Sequence, residues 1–195
     1  FNFDQELFNL SGTEFYLDGY WQTEKYFFDI EHIIKEDFCP LEKLGGQNVA
    51  MADLILKNNS VSVHIRRGDY VSNPVTNDFH GICNLDYYNK AIEIIIKKNP
   101  DAVFFIFSDD YNWAKENIKN NYKKYFVNFN GREKNYEDIR LMSFCKHNII
   151  ANSSFSWWGA WLNNNPGKMV VAPRKWFNKQ NINTSDIVPE SWIRI

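Results

Sequence analysis

Cysteine is scarce. Three occur in 195 residues, Cys39, Cys83 and Cys145, far apart and with no Cys-x-x-Cys spacing. An odd, scattered set suggests neither a disulfide framework nor a zinc site and fits a reducing compartment. No run of about 18 apolar residues occurs, so nothing reads as a membrane span. Charge of one sign is also missing. The formal net charge is −2, and no basic stripe is visible, which argues against a nucleic-acid binder. Any phosphate site must therefore be local, built from a few placed groups. No Gly-x-Gly-x-x-Gly follows a strand, which disfavours hydride chemistry. The first residues, "FNFDQELFNL", contain no Met, no basic region and no cleavage signal. We expect a piece of a longer chain.

What is present is globular and aromatic. Hydrophobic residues make up 44% and aromatics 17%, enough apolar matter for one good core. Residues 15–21, "FYLDGYW", read as a short strand, and 24–38 as a helix ending before Pro40. "PLEKLGG" (40–46) reads as a linker. From residue 47 a regular alternation begins. Helices are expected over 47–58, 85–99, 111–122, 135–145 and 154–164. Strands are expected over 60–65, 102–107, 125–129, 148–151 and 168–173. Such alternation, with strands apolar throughout, implies a parallel sheet covered on both faces. The expected fold is α/β: a Rossmann-like domain over 47–195, with 1–46 the remnant of another domain and a linker.

In open parallel sheets, ligands bind beyond the C-terminal strand ends. The polar clusters fall there. "SVSVHI" runs into Arg66-Arg67-Gly68-Asp69, "AVFFIF" into Ser108-Asp109-Asp110, and "NIIA" into Asn152-Ser153-Ser154. Alternation along a strand puts His64 and Arg66 on one face and Arg67 on the other. His64 and Arg66 are assigned to a ligand, and Arg67 to a carboxylate that holds the loop. His64 alone would read as a core histidine; Arg66 beside it changes that reading. An arginine fork suits paired diphosphate oxygens better than lysine does. Ser153 or Ser154 can cap the next helix, whose first turn (Ser153, Ser154, Phe155, Ser156) offers N–H groups to an anion. Plain capping is the simpler alternative. Trp157 and Trp161 read as core. Asp110 reads as a helix cap and leaves Asp109 free for a ligand; a metal pair is the alternative.

These stretches together resemble the bacterial α-1,2-fucosyltransferases. The resemblance lies in "HIRRGDYV" (64–71), "FSDDYNWAKENI" (107–118), "NSSFSWWGAWL" (152–162) and "YLDGYWQTEKYF" (16–27), in that order along nearly the whole chain. It implies the C-terminal, donor-binding half of a GT-B glycosyltransferase, with the N-terminal part truncated. It also implies GDP-fucose as donor, inversion at the sugar carbon, no metal requirement and no cofactor. By the same resemblance Arg66 binds the β-phosphate and His64 lies near the nucleoside. Asp109 hydrogen-bonds guanine, and Ser153 or Ser154, with Asn152, Phe155 and Ser156 around them, takes the diphosphate. The family's Gly-rich "GGLGNQ"-type opening has no counterpart; "GGQN" (45–48) is only superficially like it.

The expected reaction moves L-fucose from GDP-β-L-fucose to the 2-hydroxyl of a galactose-terminated glycan. Asp69 is a candidate base, the alternative being a structural partner for Arg67 or for backbone N–H groups. Rival functions are a fucosyltransferase of another linkage or acceptor (α-1,6 or peptide O-linked), and an Arg67-Gly68-Asp69 adhesion loop. The loop reading suffers because a hydrophobic strand feeds straight into the tripeptide. The expected location is cytoplasmic, or peripheral to the inner face of a membrane. An abundance of Asn, Lys and Ile points to a bacterial source.

Overall fold

The computed structural model describes residues 1–119, 121–179 and 181–195. Its centre is a parallel sheet of β1 (Ser60–Ile65), β2 (Val103–Ser108), β3 (Lys124–Val127), β4 (His147–Ile149), β5 (Val170–Ala172) and β6 (Ile193–Arg194). The strand order is β3-β2-β1-β4-β5-β6, and each neighbouring pair runs parallel. This is the doubly wound order, with its switch point between β1 and β4. Every residue of β1 is buried, as are the first five of β2. Both faces of these strands are therefore covered, as their apolar composition requires.

The helices are α1 (Glu31–Asp37), α2 (Gln47–Leu56), α3 (Gly68–Ser72), α4 (Pro74–His80), α5 (Leu85–Lys98), α6 (Tyr111–Asn117), α7 (Asn135–Phe144) and α8 (Ser154–Trp161). α5 shows how sequence makes them. Asn84 Oδ1 accepts the Tyr87 N–H at 2.9 Å and caps the first turn. Asp86 and the Lys97-Lys98 pair suit the two ends of the helix dipole. Tyr87, Tyr88, Ala91, Ile92 and Ile95 form its buried stripe. α3 and α4 and the short β6 were not expected. The α4 start was readable: Pro74 sits in the first turn, and Asn73 Oδ1 accepts from the N–H groups of Val75 and Thr76.

Three expectations need correction. Residues 15–21 form no strand. Phe15, Tyr16, Leu17 and Tyr20 are exposed there, and the sheet's described strands do not include this segment. The helix expected over 24–38 breaks into 3-10 turns at Glu24–Tyr26 and Phe28–Ile30 before α1. Side-chain anchors set this path. Trp161 Nε1 donates to Glu24 at 2.9 Å, and the Phe27 ring lies 5.3 Å from Trp161 and 5.8 Å from Trp158. α6 ends at Asn117, not near 122, because Ile118 turns into the core; residue 120 lies outside the described residues.

Residues 1–46 lie against the domain and add no separate core. Phe1 packs on Phe177 at 4.8 Å, Phe3 N–H donates to Asp186 at 2.9 Å, and Lys25 pairs with Asp186 at 2.7 Å. Trp157 and Trp161 belong to the core, with Trp176, Ile187 and Trp192 from the C-terminal segment. Cys83 and Cys145 are buried and unbridged.

α7 and α8 pack tightly beside β4. A Cβ added at Gly159 of α8 would lie 2.9 Å from the Met142 Cβ of α7. Met142 is itself buried, so the clash has no flexible end to relieve it. Gly159→Ala should therefore cost about 1–3 kcal/mol of stability by overpacking. A thermal melt checks this; an unchanged midpoint would show the α7–α8 contact to be looser than described.

Candidate nucleotide-sugar site

β1 delivers the first cluster at the switch point. His64 is 5% exposed, and its ring lies 5.4 Å from Phe155 of α8. Burial pushes its imidazole down to about 4. At neutral pH it is uncharged and offers a ligand hydrogen bonds, not charge. Its Nδ1 is buried without a hydrogen-bond partner, a cost that a ligand would relieve.

Arg66 follows on the same face. Its Nη2 donates to Asp69 Oδ1 at 2.6 Å, and its Nη1 lies 2.9 Å from Asp109 Oδ2. The guanidinium also sits 5.1 Å from the centre of the Tyr70 ring. Arg67 points the other way, as alternation requires. Its Nε meets Asp110 Oδ2 at 3.2 Å, and its guanidinium lies 4.0 Å from the Trp113 ring centre. Arg67 thus holds the loop, with Asp110 as its carboxylate.

The carboxylates depart from expectation. Asp109 is not free. Besides meeting Arg66, it accepts the Arg67 backbone N–H at 2.8 Å. Asp69 pairs with Arg66 and not with Arg67. Asp110 does cap α6, accepting the Trp113 N–H at 3.2 Å. Gly68 explains how these groups close up: a Cβ there would lie 2.7 Å from Asp109 Oδ2. The tripeptide is no mobile tip, since Tyr70 is buried and α3 starts at Gly68.

β4 delivers the third cluster. Ser153 takes the N-cap position with an extended backbone, φ −144° and ψ 130°, but its hydroxyl makes no capping bond. The first-turn amides of α8 therefore remain available, and the helix dipole favours an anion there. Ser154 is exposed, Phe155 half-buried and Ser156 buried; the Ser156 hydroxyl donates to the Ser153 carbonyl at 3.2 Å. Asn152 has a structural duty. Its amide donates to the carbonyls of His80 at 2.9 Å and Trp176 at 3.1 Å, tying three loops together.

A polar region beyond β3 was missed from sequence. A cavity of about 330 Å³ opens there, lined by Asn48, Asn130, Tyr136 and Glu137 among others. Asn48 and Asn130 exchange hydrogen bonds at 2.9 Å, and Asn130 donates to Asp138 at 2.7 Å. Burial raises the Asp138 carboxyl to about 6. Glu137 is 5% exposed; its Oε2 lacks a hydrogen bond and has Arg140 at 3.6 Å. The signal was a Glu-Asp pair at a helix start after a strand, which also reads as ordinary dipole compensation.

Two further cavities flank Ser154. One of about 290 Å³ includes Trp21, Phe27, Trp157 and Trp158. The other, about 180 Å³, includes Tyr20, Gln22, Tyr70, His80 and Phe177. Among the described residues, no helix is long and apolar enough to cross a membrane.

Comparison with known proteins agrees with this arrangement. The family model described as Glycosyl transferase family 11 matches residues 3–195. An α-1,2-colitosyltransferase of Escherichia coli is 41% identical over 181 residues, which are 91% of this chain and 61% of that protein. The O-antigen biosynthesis glycosyltransferase WbnK of Escherichia coli is 48% identical over 137 residues, 70% of this chain and 45% of that protein. The galactoside α-(1,2)-fucosyltransferase 1 of Rattus norvegicus is 29% identical over 137 residues, 69% of this chain and 35% of that protein. The chain thus spans less than two thirds of these relatives. With a doubly wound parallel sheet and its polar clusters at the strand ends, the chain belongs to glycosyl transferase family 11.

Proposed function

We propose that this chain carries the donor half of a GT-B enzyme that moves L-fucose from GDP-β-L-fucose to the 2-hydroxyl of a terminal galactoside, with inversion. Residues 47–195 supply the donor site, and residues 1–46 belong to the acceptor side and linker. The observation that carries this reading is the Arg66 fork at the end of β1, next to the open first turn of α8 at the end of the neighbouring β4. The names of the relatives favour a fucosyl or colitosyl donor and an α-1,2 linkage. A colitosyl donor is the second reading, favoured by the relative at 41% identity.

The chemistry is a single displacement through an oxocarbenium-like transition state. As the bond from the sugar carbon to the β-phosphate oxygen breaks, negative charge grows on that phosphate. Asp69 and Asp109 each take one N–H of the Arg66 guanidinium, and the phosphate meets guanidinium donors that these two leave over. The α8 amides take a second oxygen. Fixed donors of this kind are typically worth roughly 3–4 kcal/mol each. The nucleoside runs from there past His64. With Asp109 engaged by Arg66, guanine falls to the polar cavity beyond β3. Its N–H edge suits the Glu137 oxygen, which accepts no hydrogen bond among the described residues and has Arg140 at 3.6 Å, and the Asn130–Asp138 pair. Two strand spacings, about 10 Å, separate β1 from β3, close to the reach of a nucleoside diphosphate.

Arg66→Lys keeps the charge and loses the fork. Transfer of fucose from GDP-fucose to lactose by the full-length enzyme should fall at least about 100-fold; near-normal turnover would remove Arg66 from this role. Metal independence is a second expectation. Asp69, Asp109 and Asp110 each face an arginine, so the cationic work is already assigned. Transfer should persist in EDTA, whereas full loss restored by Mg²⁺ or Mn²⁺ would make the Asp pair a metal site.

A further inference from the structure

Displacement by a galactose hydroxyl needs a group to receive its proton. Asp69 is poorly placed for it, because Arg66 holds its carboxylate at 2.6 Å. The cavity of about 180 Å³ beside Ser154 holds another basic side chain, His80 at the end of α4. Its ring stacks on Tyr70 with centroids 4.7 Å apart and planes 11° from parallel. Tyr70 in turn carries the Arg66 guanidinium at 5.1 Å. Tyr70 thus lies between the two side chains, His80 on one contact and Arg66 on the other, and an inverting transfer needs its two working groups apart. One group faces the leaving oxygen and the other the incoming one.

Two residues lining this cavity each keep a buried polar atom without a hydrogen-bond partner, His80 Nδ1 and Gln22 Oε1. Such orphans cost about 1–3 kcal/mol each unless a ligand satisfies them. Hydroxyl groups of a sugar are suitable donors. The walls are aromatic, with Phe1, Tyr20, Phe79, Trp176 and Phe177, and apolar ring faces suit the apolar face of a hexose.

We propose that His80 is the base of the transfer reaction and that Gln22 orients the acceptor sugar beside it. This rests on the glycosyl-transfer reading above. The acceptor oxygen bonds to the sugar carbon as the bond to the β-phosphate oxygen breaks. GDP leaves with that electron pair, and the hydroxyl proton passes to the free imidazole nitrogen and then to solvent. Desolvation lowers the His80 basicity from its ordinary value of 6.5, so the ring is neutral and able to accept at pH 7. The charged and titratable groups around it are Asp69, Arg66 and Tyr70, with Tyr20 across the cavity and Asp78, paired with Lys179, on its own helix.

The test is the pH dependence of kcat for fucose transfer to lactose by the full-length enzyme, unsubstituted and with His80→Gln, with GDP titration of both. The unsubstituted protein should lose kcat on the acid side, at a pH below 6.5. His80→Gln should lose about 10²–10⁴-fold in kcat, lack the acid limb, bind GDP as before and recover activity with added imidazole. A variant within tenfold of normal, with the same acid limb, would overturn the proposal. Should His80→Gln lose GDP binding through misfolding, the unsubstituted profile decides: a kcat flat on the acid side overturns it, and the expected limb supports it. No transfer by the unsubstituted protein would defeat the donor reading and this proposal together; transfer with an unaltered variant profile defeats this proposal alone.

Discussion

The ion pairs around Arg66 are the constraint on which the site depends. A guanidinium at the end of a strand buried on both faces has little freedom, and Asp69 at 2.6 Å and Asp109 at 2.9 Å fix what remains. Their spacing sets the neighbours. Gly68 must lack a side chain because Asp109 lies where its Cβ would be. The Arg67 amide completes the grip on Asp109, while the Arg67 side chain is drawn to Asp110 and Trp113 on the opposite side. The half-exposed pairs around Arg66 contribute modestly to stability, since solvent screens them. Their larger effect is to hold a cation in a fixed place at the strand end.

Around that fork the fold divides the work by strand. The β1 and β4 ends face each other across the switch point and suit a diphosphate. The β3 end, with its linked amides and carboxylates, suits a nucleobase edge. The aromatic cavities on the far side of Ser154 are built by residues from both ends of the chain, including Trp21, Phe27, Trp157 and Trp176. The N-terminal segment thus lines these cavities, although among the described residues it contributes no strand to the sheet.

The sheet was legible because its signals are local. "AVFFIF" is apolar on both faces, and only a parallel, doubly covered strand needs that; "SVSVHI" alternates Ser60, Ser62 and His64 with Val61, Val63 and Ile65, and both of its faces are buried. The direction of Arg67 was legible from alternation alone. Long-range partners were not. Nothing in "SDD" announces that Asp109 is held by Arg66 and by a backbone amide across 42 residues. The strand expected at 15–21 followed its aromatic and β-favouring composition, but a strand also needs a pairing partner, and this segment, with Tyr16 and Tyr20 exposed, has none among the described strands. The helix expected at 24–38 had the right periodicity over too long a span, because Trp161 and its neighbours impose their own anchoring on Glu24 and Phe27. Glu137 and Asp138 sit in the first turn of α7, where acids are ordinary dipole compensation, and the sequence alone does not announce the cavity that Glu137 lines.

The central claim is that the ends of β1, β3 and β4 together form a guanosine-diphosphate site. Calorimetric titration of the 195-residue chain with GDP, and with UDP as control, tests it most directly. GDP should bind, with modest affinity, because a GT-B donor is normally enclosed between two domains, and UDP should bind far more weakly for want of a base that fits the Asn130–Glu137 cavity. Equal binding of the two nucleotides, or binding of neither, would contradict the account.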